Sequence, residues 1–158
     1  MSDARKKFML RAIALSARAV RTHQGGPFGA VVVRKGKIVG EGCNQVTSAN
    51  DPTAHAEIVA IRSAAARLKT FQLKDCELYT SCEPCPMCLA AIYWARIKAV
   101  YYANTHSDAA TIGFDDARIY QELQRPPGRR KLKMRKIFLA DALVPFLEWH
   151  WKRDKIPY

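Results

Sequence analysis

Residues 78–95 read LYTSCEPCPMCLAAIYWA. Its opening, with Glu77 before it, reads as a strand over 77–81. Pro86 then stands at the first position of a helix predicted over 86–95. Cys85 and Cys88, three apart at that helix start, share one face. The free N–H groups and the dipole of a helix N-terminus favour thiolates, so the pair can clamp one ion.

Glu57 precedes Pro84 by 27 residues and belongs to a second cluster, His55-Ala56-Glu57. Side chains two apart do not lie on the same side of a regular helix, so a site that uses both His55 and Glu57 must sit at a helix end. One imidazole and two thiolates form a borderline-soft donor set that suits Zn²⁺. Three protein ligands leave a fourth tetrahedral position for water, the arrangement of a catalytic site. Glu57 would then carry protons between that water, the substrate ring and the leaving nitrogen. It does not stand where a capping-box glutamate belongs, three residues after Asp51 or Thr53. The alternative set of His55 with Cys82, Cys85 and Cys88 would close the site and leave Glu57 unexplained. Cys43 and Cys76 read as small buried hydrophobes.

Outward from these clusters, strands and helices alternate. Phe8, Ala12, Leu15 and Ala19 predict a first helix over 4–21, ended by the breaker run Gln24-Gly25-Gly26-Pro27. Segments 28–33 and 37–42 read as a hairpin joined at Arg34-Lys35-Gly36. Residues 47–50 read as loop, and Asp51-Pro52 as the cap and first position of a helix reaching about Leu68. A strand over 99–103, a Gly- and Asp-containing loop and a short helix over 115–123 follow. After the break at Arg125-Pro126-Pro127-Gly128, a last strand near 132–138 and an amphipathic helix near 144–153 complete an α/β sandwich of about five strands.

At 158 residues, 49% hydrophobic and 25% charged, the chain has the size and composition of one globular domain. Basic residues interrupt every apolar run, which excludes a membrane span, and the N-terminus lacks the pattern of a secretory signal. A cytoplasmic location is expected, where an odd set of five cysteines serves metal chemistry rather than disulfides. The net charge of +12 invites a nucleic-acid partner. Residues 125–136 hold seven basic and no acidic side chains, however, leaving +5 for the other 146. A run of that kind also reads as a solvated strand edge.

The His-x-Glu and later Pro-Cys-x-x-Cys spacing is the signature of zinc-dependent base deaminases. With Gly25-Gly26-Pro27-Phe28-Gly29-Ala30-Val31, Asn50 to Glu57, residues 78–95, Asp108-Ala109-Ala110, Gly113-Phe114-Asp115-Asp116 and Tyr158, the chain resembles the bacterial guanine deaminases of the cytidine/deoxycytidylate deaminase-like zinc family. That resemblance implies a single three-layer α/β/α domain over 1–158 and hydrolysis of guanine to xanthine and ammonia. It implies one zinc per subunit on His55, Cys85 and Cys88, with Glu57 as proton shuttle. It also implies Phe28, Asn44, Trp94, Asp116 and Tyr158 around the purine base, Asp116 with a catalytic part. Finally it implies a homodimer that exchanges the C-terminal segment of about 144–158, and a place in purine catabolism or salvage. From the residues alone, Phe28 and Trp94 read as core, and Asp116 as a complement to a helix dipole. The rival readings are a tRNA adenosine deaminase, which would extrude its target from RNA, a weaker cytosine or nucleoside deaminase, and a non-catalytic zinc or RNA-binding module. Gly113-Phe114-Asp115-Asp116 and Tyr158 favour the free-base enzymes over the first, and Glu57 argues against the last.

Overall fold

The computed structural model describes residues 3–158, which divide into two compact units, 3–116 and 117–158. In the first, helix α1 (Asp3–Arg21) buries Phe8, Ala12, Leu15 and Ala19 along one stripe, as the helical spacing requires. Strands β1 (Gly29–Arg34) and β2 (Lys37–Cys43) form the hairpin. Lys35 and Gly36, both at positive φ, make its two-residue turn.

The sheet runs β2-β1-β3-β4, with β3 at Cys76–Cys82 and β4 at Ala99–Asn104. β1 pairs antiparallel with β2 and β3, and β3 pairs parallel with β4. Alternation along β1 serves both faces. Val31 and Val33 pack with α1 residues and Tyr79, whereas Ala30 and Val32 pack with Ala56, Ala60 and Ala64 of helix α3 (Ala56–Leu68) and Ile92 of helix α4 (Pro86–Trp94). This unit is the expected α/β/α sandwich. Helix α3 comes close to β2 because Gly40 and Gly42 carry no Cβ, which would overlap the carbonyls of Ala60 and Ala56.

Several boundaries differ from the sequence reading. The expected helix start at Asp51-Pro52 is a turn, because the Asp51 carboxylate accepts hydrogen bonds from the backbone N–H and hydroxyl of Thr53 (2.8 and 2.7 Å). The helix waits until Ala56. Of residues 47–50, expected as loop, the first three belong to the single-turn helix α2 (Val46–Ala49) and Asn50 is its C-cap. The loop after β4 contains helix α5 (His106–Thr111), started by a reciprocal capping box between Thr105 and Asp108.

The largest correction concerns the sheet, which has four strands rather than about five among the described residues. Residues 132–138 are irregular and exposed. The alternation of Lys131, Lys133 and Arg135 with Leu132 and Met134 marks two faces, but a strand exists only where another backbone supplies its ladder. The second unit holds helices α6 (Ala117–Gln124) and α7 (Val144–Trp151). In it Glu122 gathers the Arg125 guanidinium (2.6 Å) and the Lys131 N–H (2.7 Å).

Candidate active site

Both chemistry-bearing clusters fall at helix starts. His55 is the N-cap of α3 and Cys85 the N-cap of α4, each in extended backbone conformation, so their side chains leave the helix axis and meet. His55 Nδ1 lies 3.5 Å from Cys85 Sγ and 3.5 Å from Cys88 Sγ. One ligand atom from each of the three residues falls within 4.8 Å of the others. Tetrahedral zinc with ordinary Zn–S and Zn–N bonds places N and S ligands about 3.6 Å apart. The spacing and the donor chemistry therefore both fit that ion.

Glu57, in the first turn of α3, is 5% exposed. Thr80 Oγ1 donates to its Oε1 (3.2 Å), and Cys88 Sγ donates to its Oε2 (3.5 Å). Burial, reinforced by the neighbouring Cys85 charge, pushes the Glu57 carboxyl above the usual range. Cys85 goes the other way. Hydrogen bonding from Cys88 and then from His55 brings its thiol down to about 4 against the penalty of burial, and its partner Cys88 is raised, first by its hydrogen bond to Cys85 and then by burial. His55 is raised, chiefly by its hydrogen bond to Cys85. A half-buried imidazole, two close sulfurs and a buried carboxyl crowd charge that a divalent cation would neutralise.

Cys82 stays apart from this cluster. It donates to the Thr105 carbonyl (3.4 Å), and burial raises its thiol to about 11. Cys43 and Cys76 are buried, and all five cysteines are free thiols.

Of the residues expected around a base, Asn44 is buried, and its Oδ1 accepts from Gly26 N and Val46 N (both 3.2 Å). That leaves the amide N–H₂ as the group it can offer. Phe28 is held through its backbone by Asn44 N (3.0 Å) and packs partly on the core. Trp94, at the end of α4, is 65% exposed and so is not core. The Asp116 carboxyl is raised, first by burial and then by the Cys85 charge. Tyr158 lies in the second unit and is 71% exposed. The sequence reading did not single out Thr80, whose place on a buried strand facing α3 is visible only in the β1–β3 register. It also missed Glu83, whose carboxylate accepts from His106 N (3.2 Å) and pairs with His106 Nδ1 (2.8 Å), tying the segment before Cys85 to the start of α5.

The sequence matches the family model of the cytidine and deoxycytidylate deaminase zinc-binding region over residues 2–104. The chain belongs to this family of zinc-dependent deaminases, and zinc is its cofactor. It is 53% identical over 151 residues to the guanine deaminase of Bacillus subtilis (strain 168), covering 96% of this chain and 97% of that one. The X-ray structure of guanine deaminase from Bacillus subtilis superposes with a TM-score of 0.95 at 51% identity, covering 100% of this chain and 99% of that one. A tRNA-specific adenosine deaminase of Buchnera aphidicola subsp. Schizaphis graminum (strain Sg) is 35% identical over 129 residues, 82% of each chain.

Proposed function

We propose that the chain hydrolyses guanine to xanthine and ammonia, with His55, Cys85 and Cys88 holding zinc and Glu57 moving the protons. The observation that carries this reading is a buried carboxyl set against a three-donor cluster, a ligand number that leaves one tetrahedral position for water. Near-full-length likeness to a guanine deaminase supports guanine as the base.

Zinc supplies the Lewis acidity that makes water a nucleophile near neutral pH. Glu57, its carboxyl raised by burial, is matched to accept a proton from water and return it to the ring and to the departing amino nitrogen. Thr80 holds one carboxyl oxygen so that the other faces the cluster. Water adds at C2 of the base, the C2–amino bond breaks, and ammonia leaves. The Asn44 N–H₂ donates to a ring acceptor, Phe28 and Trp94 offer flat surfaces, and Asp116 accepts N–H bonds from the amino face and shares the proton traffic. A base lacking the matching groups would leave these polar partners unpaired and so be strongly rejected.

The working protein is a homodimer of single-domain chains, acting on a purine base in the cytoplasm, in purine catabolism or salvage. Support for the dimer comes from the second unit, in which no described residue is buried and Ile137, Phe138, Phe146 and Trp151 are exposed. Exchange of residues 144–158 between identical chains would cover such surface and carry Tyr158 to the partner's base. The test is ammonia release from free purines, nucleosides and tRNA, with and without a chelator. Guanine as the preferred, chelator-sensitive substrate is the expected result; preference for tRNA would overturn it.

A further inference from the structure

We propose that Phe114 is a positioning residue for base binding: it braces the Phe28 ring edge-to-face and so sets the plane against which the base lies. This rests on the guanine-binding role proposed for Phe28.

The two rings stand 4.9 Å apart at 90°, the geometry in which the positive edge of one aromatic meets the negative face of the other. Both are pinned through their backbones. Helix α5 ends in a Schellman motif, with Gly113 N donating to Ala110 O (3.0 Å) and Phe114 N to Ala109 O (3.0 Å). Gly113 provides the left-handed residue this motif needs, at φ 91°. Ala109 is buried, and the capping box fixes the other end of the same helix. Phe114 therefore hangs from a helix closed at both ends. On the other side, Phe28 N donates to Gly26 O (2.8 Å) and its carbonyl accepts from Asn44 N. A Cβ on Gly26 would lie 2.9 Å from the Phe114 ring and 3.1 Å from the Phe28 ring, so that glycine lets the three meet.

Phe114 remains 44% exposed. A side chain so open contributes little to the core, and its ordered contact is with the aromatic proposed to face the base. Two residues further on comes Asp116, whose carboxyl senses the Cys85 charge. One short segment thus holds both the brace of the aromatic wall and a carboxylate of the proposed site.

The experiment compares full-length, zinc-loaded wild type with Phe114→Leu, Phe114→Tyr, Phe28→Leu and the double Phe28→Leu/Phe114→Leu variant, recording KM and kcat for guanine and zinc content. An edge-to-face pair predicts a KM raised about 3- to 10-fold in Phe114→Leu, with kcat within about twofold and zinc retained. Phe114→Tyr, which keeps the ring, should restore the wild-type KM. On the Phe28→Leu background the second substitution should add nothing. If Phe114→Leu does not fold, Phe114→Met removes the ring with similar bulk and carries the same expectation. An unchanged KM, an equal KM increase on the Phe28→Leu background, or a loss confined to kcat and zinc would overturn the proposal. A wild type inactive on guanine would instead remove the guanine reading and this one with it, a result distinct from an active wild type indifferent to position 114.

Discussion

The interior of residues 3–116 and the surface of residues 117–158 follow opposite rules. In the first unit the core-facing stripes have partners: α1 covers one face of the sheet, α3 and α4 the other, and Thr80 and Ser81 between them are hydrogen-bonded, while Tyr93 and Trp94 at the end of α4 stay exposed. In the second, Phe138 is 82% exposed and Trp151, Phe146 and Ile137 are also open. Monomeric soluble proteins seldom leave so much large apolar surface uncovered. The difference separates what one chain completes by itself, the metal cluster with Glu57, from what we propose a second chain completes, the cover over the base.

The sharpest way to break this division is at the cluster. Cys85→Ser and Cys88→Ser should lose zinc and bring guanine turnover to background, whereas Cys82→Ser should keep the metal, since its thiol is engaged by Thr105 O. Zinc content and ammonia release decide it, and metal loss in Cys82→Ser would revive a closed four-ligand site. Next in size is the tail. Deleting residues 156–158 should cost on the order of 100-fold in guanine turnover if Tyr158 completes a site. Mixing that chain with Glu57→Gln should then recover activity, because one subunit supplies the carboxyl and the other the tail; no recovery despite demonstrated subunit exchange would contradict the exchange. A smaller effect is expected at Thr80→Val, which removes a partner of the buried Glu57 and should lower kcat about tenfold with zinc retained, Thr80→Ser restoring it.

The smallest effect lies on the surface of the first unit. Arg11 grips Glu41 through two contacts of 2.7 Å and holds its carboxyl below the usual range. A depressed folded-state pKa gives stability that is present above the unfolded value and fades as pH falls through the folded one. Both side chains are more than a third exposed, so Glu41→Gln should cost about 1 kcal/mol or less at neutral pH, and nothing in acid. Denaturant midpoints across the acid range measure the gap; a gap that widened in acid would reverse the sign.

The metal cluster was legible in the sequence because its logic is local. Two cysteines three apart behind a proline, and a His-x-Glu that no regular helix side can host, already demand paired helix starts. The structure meets that demand with His55 and Cys85 at N-cap positions. Thr80 was hidden because its role depends on strand register, and Phe114 because the Schellman geometry that aims it shows only as a Gly beside an aromatic. The segment 132–138 misled for a related reason. Its alternation is a real strand pattern, but the pattern names a face and not a neighbour. No helix among the described residues is long and apolar enough to cross a membrane, in keeping with the interrupted apolar runs.

The central claim is that Glu57 moves the protons of guanine deamination beside a zinc ion held by His55, Cys85 and Cys88. Xanthine formation by zinc-loaded wild type and Glu57→Gln, with metal content measured on the same samples, tests it most directly. The account predicts equal zinc and a loss of turnover on the order of 10²–10⁴-fold. Wild-type turnover in a zinc-replete Glu57→Gln protein would contradict it.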